Sequence, residues 1–173
     1  MSNSNSNIRG VDHIGITVPD IESATRFLIE AFGAEVIYES LSRSSPEEGS
    51  EVERTLDLAA GTKISLVRMI KLQHGPGIEL FEMSGPSQRS AARPSDFGLQ
   101  HFAVYVDDMA AAVARFEAAG GTLFGQPAPT FPLERGKGNL FCFGRTPWGV
   151  VELITLPTPP PYEELTPLRR WRP

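Results

Sequence analysis

One pattern occurs twice in this 173-residue chain, and it restricts the folds open to it more than any other feature. The run Asp12-His13-Ile14-Gly15-Ile16-Thr17-Val18-Pro19-Asp20-Ile21 matches Gln100-His101-Phe102-Ala103-Val104-Tyr105-Val106-Asp107-Asp108-Met109. Each alternates as a strand does and then reaches an Asp placed to cap a helix. The helical patterns, Ile21 to Phe32 and Met109 to Ala119, each stop at a glycine, Gly33 or Gly120, in the C-cap position. Further on, Ile78-Glu79-Leu80 matches Val151-Glu152-Leu153. Two strand candidates fill each remaining space: Ala34–Leu41 and Lys63–Met69 in the first repeat, Thr122–Gln126 and Asn139–Gly144 in the second. The histidines stand 88 positions apart and the glutamates 73, so the first repeat holds 15 extra residues, expected in the polar stretch Ser42 to Glu53.

Each repeat therefore reads strand, helix, strand, strand, strand. A single such module cannot bury both a helix stripe and a sheet face, so the two are expected to pair into an α+β fold of two βαβββ modules. The expected boundaries are a disordered tail at 1–7, modules at 8–84 and 98–156 joined by a linker at 85–97, and a Pro-rich tail at 157–173. That last segment holds six of the 15 prolines.

Charge and composition exclude several function classes. With 16 basic and 21 acidic residues the net charge is −5, which repels phosphate backbones, and no basic patch of any size breaks it. No nucleic-acid partner is expected. No apolar run approaches the roughly 20 residues of a membrane span, and the start MSNSNSN has neither the basic nor the apolar region of a signal peptide. The expected setting is cytoplasmic, without a membrane partner. Cys142, the one cysteine, lies in the apolar run Leu140–Phe143 and reads as a core thiol.

Alternation also gives direction. Ile14, Ile16 and Val18 share one face of the first strand, under the helix, so His13, Gly15 and Thr17 share the other. In the second module His101, Ala103 and Tyr105 lie opposite Phe102, Val104 and Val106. Glu79 and Glu152 sit in otherwise apolar strands, where an unpaired carboxylate is costly. One His and one Glu per module, at equivalent positions, suit a four-ligand divalent metal site. Imidazole and carboxylate donors together fit Zn, Ni, Co, Mn or Fe.

These residues, with the turn Arg145-Thr146-Pro147-Trp148-Gly149, resemble the vicinal oxygen chelate superfamily over about residues 8 to 156. That superfamily includes glyoxalase I, methylmalonyl-CoA epimerase, extradiol dioxygenases and bleomycin-binding proteins. The resemblance implies paired modules whose curved mixed sheet encloses a cleft with one metal, held by His13, Glu79, His101 and Glu152. A fourth protein ligand, Glu79, is the pattern of glyoxalase I and methylmalonyl-CoA epimerase rather than of the dioxygenases. It implies a lyase, isomerase or epimerase acting on a small carbonyl or 2-oxo/2-hydroxy compound through an enolate, with Glu79 and Glu152 moving the proton. Two other readings stay open: an Fe(II) dioxygenase using His13, His101 and Glu152, and a metal-free binding protein. Tyr105 and Thr17 are candidate substrate contacts. Arg135 and Lys137, in the loop Phe131–Asn139, are candidates for closing over an anionic substrate. A homodimer is expected, and Trp148 is expected to pack.

Overall fold

The computed structural model describes residues 9–173. The expected N-terminal tail at 1–7 lies outside them. The first module runs β1 (His13–Val18), α1 (Ile21–Phe32), β2 (Glu35–Leu41), β3 (Glu47–Glu48), α2 (Ser50–Leu56), β4 (Lys63–Lys71) and β5 (Gly77–Ser84). The second runs β6 (Phe102–Tyr105), α3 (Met109–Ala118), β7 (Thr122–Leu123), β8 (Ala128–Pro129), β9 (Leu140–Thr146) and β10 (Gly149–Thr155). One short helix, α4 (Tyr162–Leu165), interrupts the C-terminal tail.

The two sheets repeat one topology. The orders are β1-β5-β4-β2 and β6-β10-β9-β7, with β3 and β8 adding a short fifth strand to β4 and β9. In each, the first strand lies parallel to the last, β1 to β5 and β6 to β10, and the other pairings are antiparallel. The sheets stay separate hydrogen-bonded units. β1 and β6, a free edge of each, border the same clefts without pairing.

Local chemistry sets the helix limits. Asp20 accepts a hydrogen bond from Ser23 N at 2.7 Å, and Asp108 from Ala111 N at 3.1 Å. Gly33 closes α1 in the left-handed region at φ 66°. α3 stops one residue earlier than expected, capped by Ala119, and Gly120 follows at φ 100°. Ile21, Ala24, Phe27, Leu28 and Ala31 bury one stripe of α1 in a core shared by both modules. There Phe27 meets Phe116 of α3 edge-on, with centroids 5.3 Å apart. Arg68, its side chain 8% exposed, faces α1 from β4. It donates to Glu22 at 2.9 Å, to Thr25 Oγ1 at 2.8 Å and to Glu39, which satisfies its buried charge.

The polar stretch after β2 holds more structure than its composition suggests. It forms β3 and opens α2, a helix with no buried residue. The strand expected at Thr122–Gln126 ends at Leu123, and pairing to β9 resumes at Ala128 after Gly125 and Pro127.

Glu82 at the end of β5 shows how the sheet holds the helix. Its Oε2 accepts from Ile21 N, the first amide of α1, at 3.0 Å, and Arg43 grips the carboxylate at 2.7 Å. The Arg43 bonds, joined by the Ile21 amide and opposed by burial, hold this carboxyl below the ordinary glutamate value. Its stabilising contribution is therefore complete above that ordinary value and lost as pH falls through the lower folded one. Glu82→Gln is expected to cost about 1 kcal/mol at neutral pH and to flatten the acid limb of stability. Urea unfolding at pH 7 and pH 3 measures both.

Candidate active site

The structure places all four His and Glu candidates on the sheet faces turned away from the helices. His13 opens β1, and its neighbour across the ladder is Gly77; Glu79 on β5 pairs with Gly15. In the second module Glu152 pairs with Ala103 on one side and Phe143 on the other. Because the ladders repeat, each glutamate reaches the histidine of its own module. His13 Nε2 is 3.3 Å from Glu79 Oε2, and His101 Nε2 is 3.1 Å from Glu152 Oε2.

The rest of each imidazole is held from behind by the preceding residue. Asp12 Oδ2 lies 2.8 Å from His13 Nδ1, and Gln100 Oε1 lies 2.9 Å from His101 Nδ1. Both partners are acceptors, so each Nδ1 is placed to donate, which turns each Nε2 toward the carboxylate of its own module. An imidazole nitrogen and a carboxylate this close require a proton or a cation between them. The repeat aligns Asp12 with Gln100, but nothing in the sequence pattern signals this role.

The pairs differ in their surroundings. The Asp12 hydrogen bond, with the Glu79 charge and against burial, raises the His13 pKa. The Glu152 side chain is 15% exposed and Glu79 21%. Burial pushes the Glu152 carboxyl up, and the His101 imidazole opposes this. Phe143 stands edge-on to the His101 ring at 4.9 Å and extends the apolar wall through Phe141 to Phe131.

Among the described residues no three His, Cys, Asp or Glu side chains are gathered as one metal cluster. The four candidates stand as two pairs, one His and one Glu in each module. Between the modules, Gly15, Thr17, Gln100, His101 and Trp148 line a cleft of about 220 Å³. Thr17 is thus near His101. Tyr105 lies further along β6, with the Trp171 ring 6.2 Å away. Arg135 and Lys137 are exposed on their loop, and Arg135 Nε donates to Thr130 O at 3.4 Å. The ion pair that fastens this loop is instead Glu134 with Arg170 of the tail, supported by Tyr162 N donating to Leu133 O at 3.0 Å. No local pattern signals a pairing between residues so far apart. Cys142 is buried, and desolvation pushes its thiol up, as a core thiol requires.

Paired βαβββ modules, each with a histidine at the start of its first strand facing a glutamate of its last, define a class, and a family model agrees. The model of the Glyoxalase/Bleomycin resistance protein/Dioxygenase superfamily matches residues 12–143, and the chain belongs to that superfamily. A 2-epi-5-epi-valiolone epimerase from Actinomyces is 35% identical over 166 residues, covering 94% of this chain and 88% of that protein. A glyoxalase family protein from Bacillus cereus superposes with a TM-score of 0.66 at 18% identity, over 88% of this chain and 97% of that one. Glyoxalase I from Zea mays superposes with a TM-score of 0.55 at 18% identity, over 83% of this chain and 43% of that one. No described helix is long and apolar enough to cross a membrane.

Proposed function

We propose that this protein is a divalent-metal-dependent epimerase or isomerase that moves a proton on the carbon beside a carbonyl of a small molecule. The observation that carries the reading is the duplicated His–Glu pair with each Nδ1 held from behind, which leaves two imidazole Nε2 atoms and two carboxylates as donors for a cation. The epimerase relative supports the reaction type, and its cyclic ketone is the first substrate to test.

This donor set fits a divalent ion. His13, Glu79, His101 and Glu152 would hold it, and the ladder neighbours of the two glutamates, Gly15 and Ala103, are small. The ion would supply Lewis acidity for a carbonyl oxygen. The chain's own part is proton transfer. A carboxylate facing an imidazole can accept the proton on one side of the reacting carbon, and the carboxylate of the other module can return one from the opposite side. Phe143, backed by Phe141, covers one side of the second pair's imidazole.

The test is metal analysis of protein purified without chelator, followed by incubation with 2-epi-5-epi-valiolone in D₂O. The expected result is about one divalent ion per site and deuterium entering the substrate beside its carbonyl, seen by NMR. Chelation should remove both ion and exchange, and Mn, Co, Ni or Zn should restore them. Exchange that persists in metal-stripped protein would sink the reading.

A further inference from the structure

The duplication exposes a second site that the His–Glu pairs do not use. In the second module, the turn before β10 carries Trp148, 8% exposed. Its indole stands edge-on to Phe27 of α1 at 5.8 Å and parallel to Phe102 of β6 at 6.3 Å. With Glu79 aligned on Glu152, the residue equivalent to Trp148 in the first module is Gly75. With Asp20 aligned on Asp108, the residue equivalent to Phe27 is Arg115, and the equivalent of Phe102 is Ile14. One module fills its side of the contact with an indole on a phenyl ring; the other has a glycine facing an arginine.

The space this leaves is a cavity of about 580 Å³, lined by Gly75, Arg115, Ile14, Phe32, Val104 and Ala111. None of His13, Glu79, His101 or Glu152 lines it, and Trp171 of the tail borders it. Its volume is that of a small-molecule site, and its wall is largely apolar. Arg115 is anchored there: Nε and Nη2 donate to Glu30 O, near the end of α1, at 3.1 and 2.9 Å. Among the described residues no carboxylate forms an ion pair with it. Asp108, also at the rim, is engaged as the cap of α3, and Asp107 beside it disfavours ligands with more than one negative charge.

We propose that this cavity binds a flat aromatic monocarboxylate of one or two fused rings. The ring occupies the place that Trp148 fills in the other module, and the carboxylate meets the Arg115 guanidinium.

The test is calorimetric titration of the full chain with 2-naphthoate and with its uncharged analogue 2-naphthalenemethanol. One saturable site per chain is expected, with the carboxylate bound about tenfold more tightly. Gly75→Trp should abolish binding, since a Cβ there meets only Leu72 O at 3.5 Å and φ is not in the left-handed region. Ala111→Leu narrows the same space from α3 and should weaken both probes at least tenfold. Arg115→Gln should bring the two probes to equal affinity. Circular dichroism and the thermal midpoint identify variants that keep the fold. No binding of 2-naphthoate at its solubility limit overturns the proposal. So does unchanged affinity in folded Gly75→Trp or Ala111→Leu, or a carboxylate preference that survives Arg115→Gln.

Discussion

Glu152→Gln is expected to lower kcat/KM for epimerisation by about two to four orders of magnitude, the range for removing a positioned general acid or base. The amide keeps the size and one acceptor of the carboxylate but cannot take up a proton at the reacting carbon. Stability should move the other way. Burial opposes the charge on Glu152, whose pKa is raised, so above that pKa its ionised form costs folding free energy that glutamine does not. In metal-free protein the variant should therefore unfold no earlier than the parent at neutral pH, unlike Glu82→Gln. Glu79, more exposed and without a Phe143 beside its histidine, should show a smaller loss on the same substitution. Stopped assays with solvent deuterium measure the rate, and thermal unfolding measures the fold. Full activity in folded Glu152→Gln would remove the carboxylate from the mechanism.

Gly121→Ala is expected to destabilise the protein by about 3 kcal/mol, near the upper end for overpacking a core. For a chain of this length that lowers the thermal midpoint by roughly 6–12 °C. Phe116 is fully buried, and its ring lies on two glycines, Gly121 and Gly144. A Cβ at either position would stand 2.6 Å from Phe116 Cζ and overlap other atoms of the ring. φ at Gly121 is not in the left-handed region, so the cost is steric. Phe116→Leu in the same chain should recover at least half of the loss, because the smaller side chain vacates the space the methyl needs. A double-mutant cycle by urea unfolding reads this directly. Additive losses would mean that the ring is not what the methyl meets.

Much of the architecture was legible because burial leaves a periodic trace. β1 alternates exposed and covered residues as its sequence does, and α1 spans Ile21–Phe32 because its apolar stripe, Asp20 cap and Gly33 stop agree. Trp148 packs as expected. α2 left no trace, since a helix that buries nothing has no stripe. The separation of the two sheets was also hidden, because it depends on how β1 and β6 approach rather than on their own patterns. At the candidate site the sequence supplied the residue types and their faces. It did not supply their division into two His–Glu pairs, which follows from the repeated ladders. Nor did it supply the bond between Glu134 and Arg170, which joins a loop to a tail 36 positions later.

The residues behind the two histidines make the halves of the candidate centre unequal. A duplicated module would by itself make two equal halves, but a charged acceptor stands behind His13 and a neutral one behind His101. The carboxylate makes the first imidazole the stronger electron-pair donor, and the amide leaves the second weaker. A flat carbon centre placed between them would meet an electron-rich flank and an electron-poor one. The two modules would then not be interchangeable, and a proton taken up on one flank and returned on the other would pass groups of unequal basicity.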